Sequence, residues 1–89
     1  MTSRELTIVN KLGLHARAAA KLVTLASGFE SDITIKRGGQ EVNAKSIMGV
    51  MMLAAAKGVM IEICVDGNDA DEALAEITRL VQNRFGEAE

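Results

Sequence analysis

At 89 residues the chain is too short to enclose a deep substrate cleft. A formal net charge of −2 and an aromatic content of two Phe leave it without the basic surface or the stacking platforms that nucleic-acid binding needs. A single Cys and a single His exclude an internal disulfide and a multi-cysteine zinc centre, so neither a metal nor a cofactor is expected. No apolar run reaches signal-peptide or membrane-spanning length, and residues 1–89 are expected to form one cytoplasmic domain with no membrane insertion.

Leu6 and Ile8 flank Thr7 in the alternation of a first strand. Ala19, Leu22, Val23 and Ala26 then recur at i, i+3, i+4 and i+7, the stripe of a helix with one buried face, and Gly28 is placed to close it as a C′ residue. Asp32-Ile33-Thr34-Ile35-Lys36 alternates as a half-buried strand, Gly38-Gly39 supplies a hairpin turn, and Glu41 to Ala44 returns. The chain has no proline, so glycine carries the turns. Ser46 stands as the N-cap of a short helix containing Ile47, Val50, Met51 and Leu53. Val59, Ile61, Ile63 and Val65 form a fourth strand, with Cys64 as a small apolar member. Asp69 and Glu72 have capping-box spacing ahead of a helical stripe of Ala73, Leu74, Ile77, Leu80 and Val81. The order βαββαβα predicts an α+β fold, a mostly antiparallel sheet with helices on one face and Thr7, Thr34, Lys36 and Glu62 on the other.

Chemistry concentrates in Gly13-Leu14-His15-Ala16-Arg17, where the first strand hands over to the first helix. Free first-turn N–H groups and the helix dipole attract an anion there. Arg17 adds a permanent cation suited to phosphate oxygens. Gly13 allows the backbone turn that aims the ring outward. A neutral imidazole has one lone pair for attack at phosphorus, and phosphoryl transfer needs chiefly positioning and charge stabilisation. Neither a second His nor a carboxylate lies nearby in sequence to activate water, as suits a group that must hold a phosphoryl without hydrolysing it. A surface or capping His is the plain alternative for a lone His near a helix start.

Asn10-Lys11-Leu12-Gly13-Leu14-His15-Ala16-Arg17, with Ala19 and Ala20, resembles the phosphorylation motif of the HPr family, the histidine-containing phosphocarriers of the bacterial phosphoenolpyruvate-dependent phosphotransferase system. Lys45-Ser46-Ile47-Met48-Gly49-Val50-Met51 is similar to that family's regulatory serine site, and Lys57-Gly58 also falls in place. The resemblance spans nearly the whole chain. It implies an open-faced β-sandwich, a four-stranded antiparallel sheet with three helices on one face. It implies that Nδ1 of His15 takes the phosphoryl group from phosphorylated Enzyme I and passes it to an Enzyme IIA-type acceptor, with Arg17 stabilising the phosphorylated ring, so that the chain is a carrier and not an enzyme. It further implies a monomer, phosphorylation of Ser46 by an HPr kinase/phosphorylase, and partner contacts through Ala16, Ala20, Ile47, Met48 and Met51.

One residue departs from the family pattern. Ala18 stands where Pro is usual, which restores a backbone donor and relaxes the first turn. The serine region is similar to sugar-branch HPr, whereas Asn10-Lys11-Leu12-Gly13 and Ala54 to Gly58 also resemble the nitrogen-branch paralogue NPr. The alternative function is a regulatory phosphoprotein that binds enzymes or transcription factors without relaying phosphate.

Overall fold

The computed structural model describes residues 1–89. Its elements are β1 (Thr2–Thr7), α1 (Ala16–Ser27), β2 (Asp32–Arg37), β3 (Gln40–Asn43), α2 (Ile47–Met52), β4 (Met60–Asp66) and α3 (Ala70–Gln82), followed by a 3-10 turn, Arg84–Gly86. The strands form one antiparallel sheet in the order β1-β4-β2-β3. This is the expected βαββαβα open-faced sandwich.

Register follows from the alternation. Leu6 sits opposite Ile61, Ile35 opposite Ile63, and Ile33 opposite Val65, so the apolar residues share one face. That face is buried with Ala18, Ala19, Leu22 and Ala26 of α1, Val50 of α2, and Ala73, Leu74, Ile77 and Val81 of α3. Each fully buried Ile or Leu contributes about 1.5–3 kcal/mol by leaving water. The opposite face carries Thr7, Thr34, Lys36 and Glu62. Lys36 lies across from both Glu62 and Glu41, and pairs with Glu41 at 3.5 Å. Cys64 is buried, and desolvation pushes its thiol above the ordinary cysteine range.

Four local expectations need correction. The third strand runs over Gln40–Asn43, one residue earlier than expected, because Ala44 turns inward and its N–H bonds the Ile33 carbonyl at 2.9 Å. Gly28 closes α1 with right-handed backbone (φ −77°, ψ −9°), so it is a cap without the left-handed C′ geometry. Asp69 precedes α3, yet its carboxylate makes no capping bond. It accepts instead from the N–H groups of Glu30 (2.9 Å) and Ser31 (3.0 Å) and from the Ser31 hydroxyl, tying the β2 entrance to the α3 entrance. Gly67 permits this approach, since a Cβ there would lie 2.6 Å from Ser31 Cα. Finally, Leu80 is only half-buried, and Thr78 takes the fully inward position on α3.

Candidate functional site

The link from β1 to α1 is held by backbone. Ile8 N–H bonds Val59 O at 2.9 Å and Leu14 N–H bonds Ala55 O at 2.8 Å. Gly13 turns between them with φ +68°, and a Cβ there would stand 2.5 Å from Ala55 O. Glycine is therefore required at this point both for conformation and for space. His15 occupies the N-cap of α1 in extended backbone (φ −74°, ψ 177°), and its carbonyl accepts from Ala19 N–H at 2.8 Å. The His15 side chain makes no capping bond, so the imidazole is released from the helix it introduces.

A second segment reaches the same place from the far end of the chain. Beyond α3, Arg84 (φ 56°), Phe85 (φ 54°) and Gly86 (φ 77°) take three successive left-handed conformations. For the two non-glycine residues this costs about 1–2 kcal/mol each. The cost is offset by full burial of the Phe85 ring and by Lys21 Nζ, which donates to Phe85 O at 2.7 Å. The tail then runs back beside Lys11, whose N–H bonds Glu89 O at 2.5 Å and whose Nζ lies 3.4 Å from the Glu89 carboxylate.

This reversal brings Glu87 to His15. Glu87 Oε2 lies 2.5 Å from His15 Nε2, and Glu87 Oε1 accepts from Asn10 Nδ2 at 3.0 Å. Asn10 is fully buried and its Nδ2 also donates to Gly13 O at 2.9 Å, while its Oδ1 has no partner. The Asn10 hydrogen bond first, and the His15 hydrogen bond second, hold the Glu87 carboxyl below the usual glutamate range. No carboxylate lies near His15 in sequence; the fold brings one to it from 72 residues away. No hydrogen bond within the chain engages Nδ1 of His15.

His15, Arg17, Glu87 and Glu89 line one open cleft of about 530 Å³ with Lys11, Leu12 and Ala88. Arg17 is exposed on the first turn of α1, which holds no acidic residue, and makes no ion pair within the chain. The site thus presents an unpartnered ring nitrogen, a free guanidinium and unpaired first-turn N–H groups, an arrangement able to receive a dianion. No group of three or more His, Cys, Asp or Glu side chains comes together as a metal site would require.

The pattern of the HPr component of the phosphotransferase system, described as its phosphorylation site, matches residues 2–83. The chain belongs to the HPr family. It is 54% identical to phosphocarrier protein HPr of Xylella fastidiosa strain Temecula1 over 98% of both chains, and 54% identical to that of Cupriavidus necator over the whole of both. A crystal structure of HPr from Thermoanaerobacter tengcongensis superposes with a TM-score of 0.96 at 40% identity, covering both chains completely. As a member of the HPr family the chain is a phosphocarrier of the phosphotransferase system: it receives and hands on a phosphoryl group and turns over no substrate of its own.

Within this HPr fold, Ala18 is the third residue of α1 and is fully buried, so the position that usually holds Pro is filled here by a small core side chain. Ala16 is exposed and Ala20 half-buried. Ser46, Ile47, Met48 and Met51 lie outside the cleft, on or beside α2, which packs on α1. Ser46 Oγ accepts from Gly49 N–H at 3.2 Å as the N-cap. Val50 and Leu53 are buried, whereas Ile47, Met48 and Met51 are exposed, Met48 by 73%. Sequence reasoning named Asn10 only as part of the motif, without its contacts, and missed Glu87. The available signal was Phe85-Gly86, an apolar anchor and a flexible residue just past a helix, which marks a tail that docks. No helix of the protein is long and apolar enough to cross a membrane.

Proposed function

We propose that His15 is the residue that carries the phosphoryl group. The observation that supports this best is its ring: Nε2 is occupied by Glu87 while Nδ1 is unpartnered, beside the unpaired Arg17 at the start of α1. The donor is phosphorylated Enzyme I and the acceptor an Enzyme IIA-type protein. The Nδ1 lone pair forms a new N–P bond as the bond to the donor nitrogen breaks, and that nitrogen keeps the electron pair. Arg17 and the first-turn N–H groups of α1 meet the charge on the equatorial oxygens. Onward transfer runs the same step in reverse against the acceptor.

Residues 1–89 act as one monomeric carrier unit in the cytoplasm. Ala16, Ala20, Ile47, Met48 and Met51 form its docking face, a surface in which exposed Met side chains adapt to successive partners. Ser46 is a regulatory phosphorylation site for an HPr kinase/phosphorylase. Its exposed hydroxyl opens α2, and Gly49, whose missing Cβ would stand 3.3 Å from Ser46 Oγ, leaves room beside it. A phosphate there adds about −1.5 to −2 charges at the edge of the docking face.

Incubation of the purified chain with phosphoenolpyruvate, Enzyme I and an Enzyme IIA-type acceptor tests the relay. The carrier reading requires acid-labile phosphate to pass through the chain to the acceptor. A chain that binds the acceptor but passes no phosphate would instead be the regulatory phosphoprotein.

A further inference from the structure

We infer that Asn10 and Glu87 are positioning residues that fix the tautomer of His15, with the Gly13 carbonyl as the reference point; this rests on His15 being the acceptor. Four polar groups stand in line: Gly13 O, Asn10 Nδ2, the Glu87 carboxylate and His15 Nε2. The two partners of Asn10, a carbonyl and a carboxylate, can only accept, so its amide must present the NH2 side to both. A reversed amide would set Oδ1 against the Gly13 carbonyl. The amide keeps its orientation although Oδ1 is left buried and unpaired.

Glu87, held by Asn10 through Oε1, offers Oε2 to His15. An ionised carboxylate accepts and cannot donate, so Nε2 must carry the ring proton. The lone pair is thereby assigned to Nδ1, the nitrogen without a partner. During transfer the proton stays on Nε2 while Nδ1 bonds phosphorus, and the positive charge that builds on the ring faces Glu87. The left-handed run at Arg84, Phe85 and Gly86 fits such a role, since strained backbone is retained where geometry is constrained by function.

The chain of donors makes a counter-intuitive result unavoidable for Glu87→Gln. Asn10 demands an acceptor from residue 87, so the Gln oxygen must face Asn10. Its NH2 then faces His15 and forces Nε2 to accept. The ring proton moves to Nδ1 and blocks the nucleophile. Glu87→Ala removes the carboxylate but imposes no tautomer. The isosteric variant should therefore be the worse one.

The test is nitrogen-15 NMR of the imidazole in the unphosphorylated parent, E87Q and E87A, together with the rate of phosphoryl acceptance from Enzyme I. The parent should show the proton on Nε2. E87Q should show it predominantly on Nδ1 and accept phosphate more slowly than E87A, by up to about tenfold, the worth of one hydrogen bond in a tautomer equilibrium. Thermal melts check that both variants fold. A parent ring protonated at Nδ1 overturns the inference whether or not the variants fold, as does an E87Q variant that keeps Nε2–H or transfers at least as fast as E87A. These ring measurements need no transfer, so they separate failure of the tautomer lock from failure of His15 as acceptor.

Discussion

Glu87 and His15, 72 positions apart in sequence, meet through Oε2 and Nε2 at 2.5 Å. Between them stands the whole sheet-and-helix framework. The proposed carrier site therefore draws on residues from both sides of α3, and the His15–Glu87 contact forms only once α3 and the turn after it are in place.

Arg17→Ala should slow phosphoryl acceptance by on the order of 10²-fold, the usual cost of removing a group aimed at transition-state charge. Arg17 is exposed and unpaired, so the melting temperature should scarcely move. Stopped-time transfer assays beside thermal melts check both halves; an unaltered rate would remove Arg17 from the mechanism.

Gly13→Ala should destabilise the fold by more than about 1 kcal/mol, because φ is +68° and the added Cβ would meet Ala55 O at 2.5 Å and Ala56 Cα at 2.8 Å. In a chain of this size that lowers the melting temperature by about 4–8 °C for each kcal/mol. Calorimetry on the variant measures it.

Ser46→Asp should leave stability unchanged or slightly raised, since a carboxylate is welcome at a helix N-terminus. Acceptance from Enzyme I should fall several-fold, because a charge at the rim of the Ile47, Met48 and Met51 surface must be desolvated on docking. A rate series against Enzyme I concentration, with melts alongside, distinguishes a docking defect from a folding one. A variant that melts and transfers like the parent would leave Ser46 as a helix cap alone.

Asp69 gives a pH dependence of known sign. The Ser31 hydroxyl first, and the backbone N–H of Glu30 next, hold its carboxyl below the usual aspartate range. A depressed folded pKa means stability that is present above the unfolded value and is lost as pH falls through the folded one. Asp69→Asn should melt lower than the parent at neutral pH, and the gap should narrow in acid as the parent's Asp69 becomes protonated. Melting curves taken from neutral pH down into the acid range check both points.

The elements were legible because the chain alternates cleanly. Ile33 and Ile35 in β2, Ile61, Ile63 and Val65 in β4, and the Ala19–Leu22–Ala26 stripe of α1 each bury as their spacing requires. His15 and Arg17 stood out because they sit within one turn of a helix start, where free N–H groups attract an anion, but local chemistry left a capping His open and the resemblance to the HPr motif supplied their expected roles. Asp69 was misread because a carboxylate near an N-cap cannot reveal that a turn 38 residues earlier offers it better donors. Glu87 was missed for a related reason: Phe85-Gly86 hints that the tail docks, but where it places Glu87 depends on the left-handed backbone at Arg84 and Phe85, which neither residue advertises by type.

Intact-mass analysis of the chain and of His15→Ala, after incubation with phosphoenolpyruvate and Enzyme I, tests the acceptor assignment most directly. The parent should gain one acid-labile phosphoryl group, localised by fragmentation to His15, and H15A should gain none while melting as a folded protein. Acid-labile phosphate on folded H15A, or its localisation to any other residue of the parent, would contradict the assignment of His15 as the carrier.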